Sequence, residues 1–528
     1  MKKTIRIISI VSISCAILSG CQLEKKLLTV EQIGKATIET FFSTLEGVES
    51  AGQGLHKELR TFVDKTYIRY GDIRGDLLNI TLTADEGEIL TFNYELTAEH
   101  VATYPRYLWA AGWVVVSSAN YIIEYGGKLR ESSEYQLGSE LARIDAVLAQ
   151  AYFARAFAHF AICNCYAWPY NHTSNHSHIG IPVMNHVPGF DEKVERKSVA
   201  AVYDQILSDI TKARETFAKA AEEDPSAAQK NCQINSISDC YHISDIACEA
   251  LQARVYLYME DWAKAEKCAR NVMDKIQLTP RDKYIAMYRS SQANHGTEAI
   301  LRMDSYNSTT SMASCYDVSR SNGCDYIPDP SVYGLFPDDD IRKELLTYVP
   351  LPTEDIYREG LTFNCVTKYL YDRTITDPAL QCHDSFVFRG SEMYLIHAEA
   401  CVKGRSDIAT ALEDVKALEA RALGKEATLT ASGEKEMLDL IELERKKELC
   451  YEGHRFFDIL RQKQDLKRPK SSNSKIKSLK YGDYRFILPI DRMECQYNEF
   501  MKQNEGYDDY KPGSDGTDTE TPEETEEP

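Results

Sequence analysis

The sequence contains no CxxC pair, although it holds fifteen cysteines, so a zinc ribbon or a thioredoxin-type dithiol has no support. It also lacks GxSxG, HExxH and GxGxxG runs, a GxxxxGK run closed by Ser or Thr, and an EF-hand loop. That removes the sequence grounds for a nucleophile elbow, a zincin, a phosphate-cradling loop or a calcium loop. Basic residues are in deficit, 61 against 81 acidic ones, for a net charge of −20. Such a surface repels nucleic acid and excludes it as a partner. Tryptophan is scarce, four residues against 32 tyrosines. After the first twenty residues no stretch is expected to span a membrane. What is present is ordinary globular composition, 43% hydrophobic and 27% charged, in 528 residues. That length suits one large domain or two to three ordinary ones.

The amino terminus has its own character. Lys2, Lys3 and Arg6 precede an apolar stretch over 7–18. Twelve helical residues reach about 18 Å, short of a hydrocarbon core of about 30 Å. The stretch therefore reads as a signal-peptide h-region over 1–20. Leu18-Ser19-Gly20-Cys21 resembles a bacterial lipobox. That resemblance implies a thioether lipid on Cys21, cleavage before it and attachment to the outer membrane through acyl chains. The alternative is an ordinary signal peptide with a chance cysteine. Cleavage would leave a net charge of −23, since all three leader charges are positive. At the other end, 508–528 holds nine acidic residues, one lysine and no apolar stripe, and is expected to be a disordered tail.

Thirteen cysteines remain after Cys15 and Cys21, an odd number that leaves at least one unpaired. Cys248, Cys268, Cys401 and Cys450 sit where helices want small apolar residues. Cys232 with Cys240, and Cys315 with Cys324, lie in loop-like sequence and could pair in an oxidising compartment.

Helical periodicity dominates the body. Ile144, Val147, Leu148, Ala151, Ala158 and Ile162 form one stripe over 144–163. A second amphipathic helix follows over 198–221 with Ser198 as its cap. "SDIACEALQARVYLYMEDWAKAEKCARNVM" at 244–273 reads as two helices around a Glu260-Asp261 turn and resembles a tetratricopeptide repeat. Such a unit needs stacked neighbours, and 144–163, 198–221 and 391–403 are the candidates. Between 275 and 388 periodicity fails while Tyr, Ser, Asn, Asp and Pro accumulate. Irregular stretches of that length are usually functional. Helices return over 389–422 and 434–463.

Five stretches in this order, behind a lipobox, resemble the SusD/RagB family of nutrient-binding outer-membrane lipoproteins. They are "AQAYFARAFAHFAI" through "GIPV", "ALQARVYLYMEDWAKAEKCA", "FRGSEMYLIHAEA", "ERKKELCYEGHRFFDILR" and "LPIDRMECQYNEFMKQNEGY". The likeness spans roughly 21–507. It implies a mainly α, SusD-like fold with tetratricopeptide-like repeats packed against a loop-rich irregular region. It divides the chain into an amino-terminal region over 21–243 and a carboxy-terminal one over 244–507. It also implies a non-catalytic role without a cofactor: binding an oligosaccharide, or in some members a peptide, and delivering it to a SusC-like TonB-dependent transporter. A helical-repeat scaffold that binds protein but no sugar, and a surface glycosidase, are the competing readings.

Sugar sites stack CH faces on rings and meet hydroxyls with planar polar groups. Candidates for the ligand site are Tyr70 and Asp76 in "TYIRYGDIRGDLLN", which is similar to a family loop bordering the ligand. Asn93 and Tyr94, the loop residue Trp168, and Tyr306, Tyr316 and Tyr326 of the irregular region complete the set, with Tyr333 nearby. Trp109, Trp113 and Trp262 are assigned to packing. The charges Glu442, Glu448, Glu452, Arg455, Asp458 and Arg461 alternate at helical spacings and read as a salt-bridge network rather than a catalytic pair. Gly453 among them signals a close backbone approach or a break. His172, His176 and His178 could meet a metal but have no companion ligands at a recognisable spacing, so none is assigned. Asp338, Asp339 and Asp340 read as a solvated charge run.

Overall fold

The computed structural model describes residues 37–97, 104–189, 191–226, 240–289, 298–303, 312–316, 324–346, 365–369 and 384–507. The leader with Cys21, the tail over 508–528, and Tyr306 lie outside the described residues.

Helices α1 (Leu45–Phe62), α2 (Tyr104–Tyr121) and α3 (Gly138–Tyr166) pack together at the amino-terminal end. The apolar stripe of α3 is edged with alanines such as Ala146, Ala149, Ala154 and Ala158, all fully enclosed, so neighbouring backbones come close. Gly112 on α2 marks one such approach: a Cβ there would stand 2.7 Å from the Ile162 side chain. By length and apolarity α3 could cross a bilayer, which qualifies the expectation that nothing past the leader could. Instead it is the core helix, with 89% of its most apolar window buried.

From α3 the chain builds a stack. α4 (Val199–Glu223) starts at Ser198, whose hydroxyl accepts the Ala201 amide at 3.2 Å, as expected of that cap. α5 (Asp245–Met259) and α6 (Trp262–Met273) form the helix pair read from the sequence. α7 (Gly390–Arg405), α8 (Ile408–Leu423) and α9 (Glu434–Glu448) complete it. Each of α3 to α9 packs on the next, so all three candidate neighbours join the stack. The α5–α6 and α7–α8 connections share one turn chemistry. A left-handed residue (Glu260, φ 60°; Ser406, φ 56°) ends the first helix, and an aspartate (Asp261, Asp407) caps the second.

The excursion between α6 and α7 is tied down by two antiparallel pairs. β4 (Ala299–Met303) pairs with β6 (Ser385–Arg389), and β5 (Tyr326–Pro328) with β1 (Leu78–Ile80). A third, β2 (Ile179–Pro182) with β3 (Arg196–Ser198), follows α3.

The helical stretch over 434–463 is divided in two. The chain turns at 449–454 and restarts as α10 (Arg455–Arg461). Gly453 has φ +78°, and a Cβ on it would lie 2.8 Å from the Ile68 backbone, so break and close approach both occur there. The network is real but mostly tertiary. Asp458–Arg461 is an i, i+3 pair, whereas Glu448 and Glu452 reach Arg389 on β6, and Arg455 reaches Asp76. The aspartate run is likewise only partly solvated. Asp340 is buried against Arg342 at 2.8 Å, while Asp338 and Asp339 pair with Lys343 and Lys425. Cys315 is a free, buried thiol, so the bridge to Cys324 that the sequence allowed is not made; Cys232 lies outside the described residues.

Candidate functional site

Most of the expected ligand residues lie inside the protein. Tyr70 is not in a loop but in helix Ile68–Ile73, fully enclosed and edge-on to Phe456. Tyr94 is 2% exposed, lies under the Arg74 guanidinium at 3.7 Å and donates its hydroxyl to Arg74 O at 2.6 Å. Asn93 is buried and accepts the Lys475 amide at 2.9 Å. Asp76 is held by Arg455 through two bonds of 2.8 and 2.9 Å, and that guanidinium keeps its carboxyl below the usual range against the opposing effect of burial. Tyr316 and Tyr326 do meet, with rings 5.6 Å apart, but under cover: Tyr316 faces Asp72, and Tyr326 donates to Glu88. An enclosed ring offers no face to a sugar, so these residues are corrected to packing and interior hydrogen bonding. Burial pushes the Asp72 carboxyl up to about 8 and the Glu88 carboxyl up to about 7.

Trp168 stays half-buried. It stacks on His172 at 4.7 Å and meets Tyr481 edge-on at 5.6 Å. The nearby histidines have partners of their own: His172 bonds the Tyr481 hydroxyl, His176 the Tyr170 carbonyl, and His178 both Thr173 and the Trp168 carbonyl. Those bonds make the loop a structural turn.

The most ligand-like concavity lies elsewhere, where α2, the segment after β2 and the carboxy-terminal segment meet. It is a cleft of about 380 Å³ lined by Trp109, Trp113, Pro182, Met184, Glu494 and Met501, among others. Its size and mainly apolar lining suit a small ligand. Two further clefts, of about 530 and 460 Å³, are lined mainly by charged and polar side chains and contain no tryptophan.

Interior bonds fix both walls of the tryptophan cleft. Arg155 on α3 holds Asp209 through two bonds of 2.6 and 2.8 Å, and reaches Asn120 Oδ1 at 2.7 Å and the Asn185 carbonyl at 2.9 Å. The Asn120 amide then donates to the His186 carbonyl at 2.8 Å. Burial lowers His159 to about 4, so the ring is neutral and its Nε2 accepts the Met184 amide. Opposite, Arg196 donates to the Lys502 carbonyl and Asn504 Oδ1, both at 2.8 Å, and Asn498 ties the segment to the Val194 carbonyl.

The tryptophans form the floor. Their rings meet edge-on at 5.4 Å, and Trp113 meets His159 at 5.7 Å. Trp109 is 4% exposed, whereas Trp113 is half-buried. The Trp109 indole bonds to Glu494, whose carboxyl is raised by burial. Among the described residues the enclosed Trp113 Nε1 has no acceptor, which is unusual for an indole. Sequence reasoning assigned both residues to the core. Their i, i+4 spacing puts them on one helix face but cannot show that the face borders a cleft closed by a segment nearly four hundred residues later.

The fold is therefore a helical stack carrying a walled, aromatic-floored cleft. Comparison with known proteins gives the family. The SusD family model matches residues 365–507, and a second model, described as "Starch-binding associating with outer membrane", matches 87–257. The chain belongs to the SusD family. It is 23% identical over 515 residues to SusD-like protein P38 of Formosa agariphila, covering 87% of this chain and 91% of that one. A SusD superfamily protein of Bacteroides thetaiotaomicron superposes with a TM-score of 0.71 at 21% identity, over 87% of this chain and 99% of the other. A SusD-like carbohydrate binding protein of Bacteroides vulgatus does so at 0.67 and 19%, over 86% and 97%. At that identity the structures establish the fold.

Proposed function

We propose that this protein captures an oligosaccharide in the Trp109–Trp113 cleft at the outer membrane and passes it uncleaved to a SusC-like TonB-dependent transporter. The observation that carries the reading is the cleft itself, a rigid concavity floored by two indoles in a chain with only four. Family membership supports it, as does the carbohydrate-binding description of the Bacteroides vulgatus protein. Sugar rings stack on such faces, and Glu494 beside Trp109 offers hydroxyls an acceptor. The half-open Trp113 ring, backed by Trp109, and a few hydrogen bonds, less the cost of ordering the ligand, give a dissociation constant of roughly micromolar to millimolar. Lipid on Cys21 would hold the chain at the membrane. Tyr306 remains a proposed secondary contact.

A second reading has one specific observation behind it. Met184, Met493 and Met501 line the same cleft, and methionine surfaces accommodate varied apolar side chains, which favours a peptide ligand. Calorimetry against plant, host and microbial glycans and a peptide library, with product analysis after long incubation, tests both. Glycan binding without cleavage supports the first. Peptide binding alone moves the conclusion to the second, and a shortened glycan makes the protein an enzyme.

A further inference from the structure

Three helices bring unlike donor groups together far from the cleft residues. His397 and Cys401 stand i, i+4 on α7, Glu266 faces them from α6, and Asp414 reaches in from α8. Ligand atoms of Glu266, His397 and Cys401 all lie within 4.8 Å of one another. We propose that these three residues bind a divalent transition metal of the zinc class, clipping α6 to α7.

The donor set suits that chemistry: one thiol, one imidazole and one carboxylate, with room for a water as the fourth ligand. Cys401 Sγ stands 3.8 Å from both ring nitrogens. A tetrahedral zinc with bonds of about 2.3 Å to sulfur and about 2.0 Å to nitrogen separates those atoms by about 3.5 Å. The separation is close to that value, and because Sγ is equidistant from the two nitrogens the imidazole must also turn to aim Nε2 at the shared ion. Asp414 takes Nδ1 at 2.5 Å, which leaves Nε2, among the described residues, with only the thiol as a polar neighbour. A carboxylate on the far nitrogen is the usual way a protein fixes a metal-binding histidine. His397 and Cys401 are buried, and Glu266 is partly open, so an ion can enter beside it. Packing explains a buried cysteine, but not the convergence of Glu266 and a free imidazole nitrogen on it.

Arg405 now fills the cation's place. It holds Glu266 at 3.0 Å and lies 3.6 Å from Cys401 Sγ, while also pairing with Asp407. Its side chain is 49% exposed. On binding, the thiol proton leaves to solvent as the metal–sulfur bond forms, and Arg405 swings fully to Asp407. The cysteine lies in the wrong place for a nucleophile paired with His397: it is enclosed and stands beside the ring rather than in line with Nε2.

The test uses the full chain, stripped with a chelator and titrated with zinc or cobalt(II). One equivalent of zinc should bind, and at about a hundredfold excess over Kd the folding equilibrium should gain about a hundredfold, seen as a higher melting temperature. Cobalt should give a near-ultraviolet thiolate charge-transfer band. Cys401→Ser should abolish the band, and Glu266→Gln, a partly exposed position expected to fold normally, should weaken zinc binding at least about tenfold. A melting temperature indifferent to zinc, a band that survives Cys401→Ser, or equal zinc affinity in Glu266→Gln overturns the proposal.

Discussion

Around Arg389, four buried cations (Arg342, Lys368, Arg389, Arg421) meet five buried carboxylates (Glu298, Asp340, Glu444, Glu448, Glu452) at 2.5–2.9 Å. Around Trp113 the surface is apolar, half open and carries an indole donor with no acceptor among the described residues. The first region holds the most motif-like sequence in the chain, and the second holds residues that look like ordinary core. Densely paired charges mark where β4, β6, α8 and α9 are locked together. The apolar concavity beside Trp113 is where the ligand is proposed to fit. In this protein the most motif-like stretch locks the scaffold, and the proposed binding floor lies on another helix.

That contrast can be broken at its strong end first. Arg389→Met removes the cation that joins Glu452 to Glu298 and Glu448, leaving only Arg342, Arg421 and Lys368 against them, and should cost about 3–5 kcal/mol or prevent folding. Denaturant unfolding reads it, and a loss below about 1 kcal/mol would mean that the charges are not what locks the region. Gly453→Ala should follow, with about 1–3 kcal/mol from its positive φ alone and more from the Ile68 contact.

Buried carboxylates with and without cations should also respond oppositely to pH. Burial raises Glu452, but Arg389 and Lys368 overcome it and hold the group at about 2. Its stabilisation is present above the ordinary glutamate value and is lost as pH falls toward 2. Asp72, with burial dominant, sits at about 8, so the folded state keeps a proton that the unfolded chain has released. Its contribution is greatest below the ordinary aspartate value and declines as pH rises through 8, by at most about 1.4 kcal/mol per unit. Unfolding between pH 5 and 8 should show that decline, and Asp72→Asn should flatten it. An unchanged slope would mean that Asp72 is ionised in place. The smallest effect belongs to Tyr70→Phe. The Tyr70 hydroxyl is buried and has no partner among the described residues, so its removal should change stability by less than about 0.5 kcal/mol or raise it slightly.

Much of the scaffold was legible in the sequence because periodicity and capping are local. The Ser198 cap, the Glu260-Asp261 turn and the stripe of α3 are all written within a few residues. The reach of Glu448 and Glu452 to Arg389 was not, since charge alternation shows that partners exist but not which of them the fold brings near. The ligand candidates failed for a similar reason. Tyrosines in aperiodic sequence look exposed, yet Tyr316 and Tyr326 are covered because β5 pairs with β1 from the other end of the chain. The cleft depends on Arg155, Arg196 and Asn504 clamping distant segments, and no local pattern announces that.

The central claim is that the ligand sits on the Trp109–Trp113 floor and not on the Trp168 loop. Calorimetric titration of the glycan that binds the wild type best, repeated on Trp113→Ala and Trp168→Ala after melting curves confirm that both are folded, tests it most directly. The account predicts at least about a tenfold weaker Kd, or roughly 1.4 kcal/mol, for Trp113→Ala and a change within about twofold for Trp168→Ala. Undiminished binding by Trp113→Ala, or a loss confined to Trp168→Ala, would contradict it.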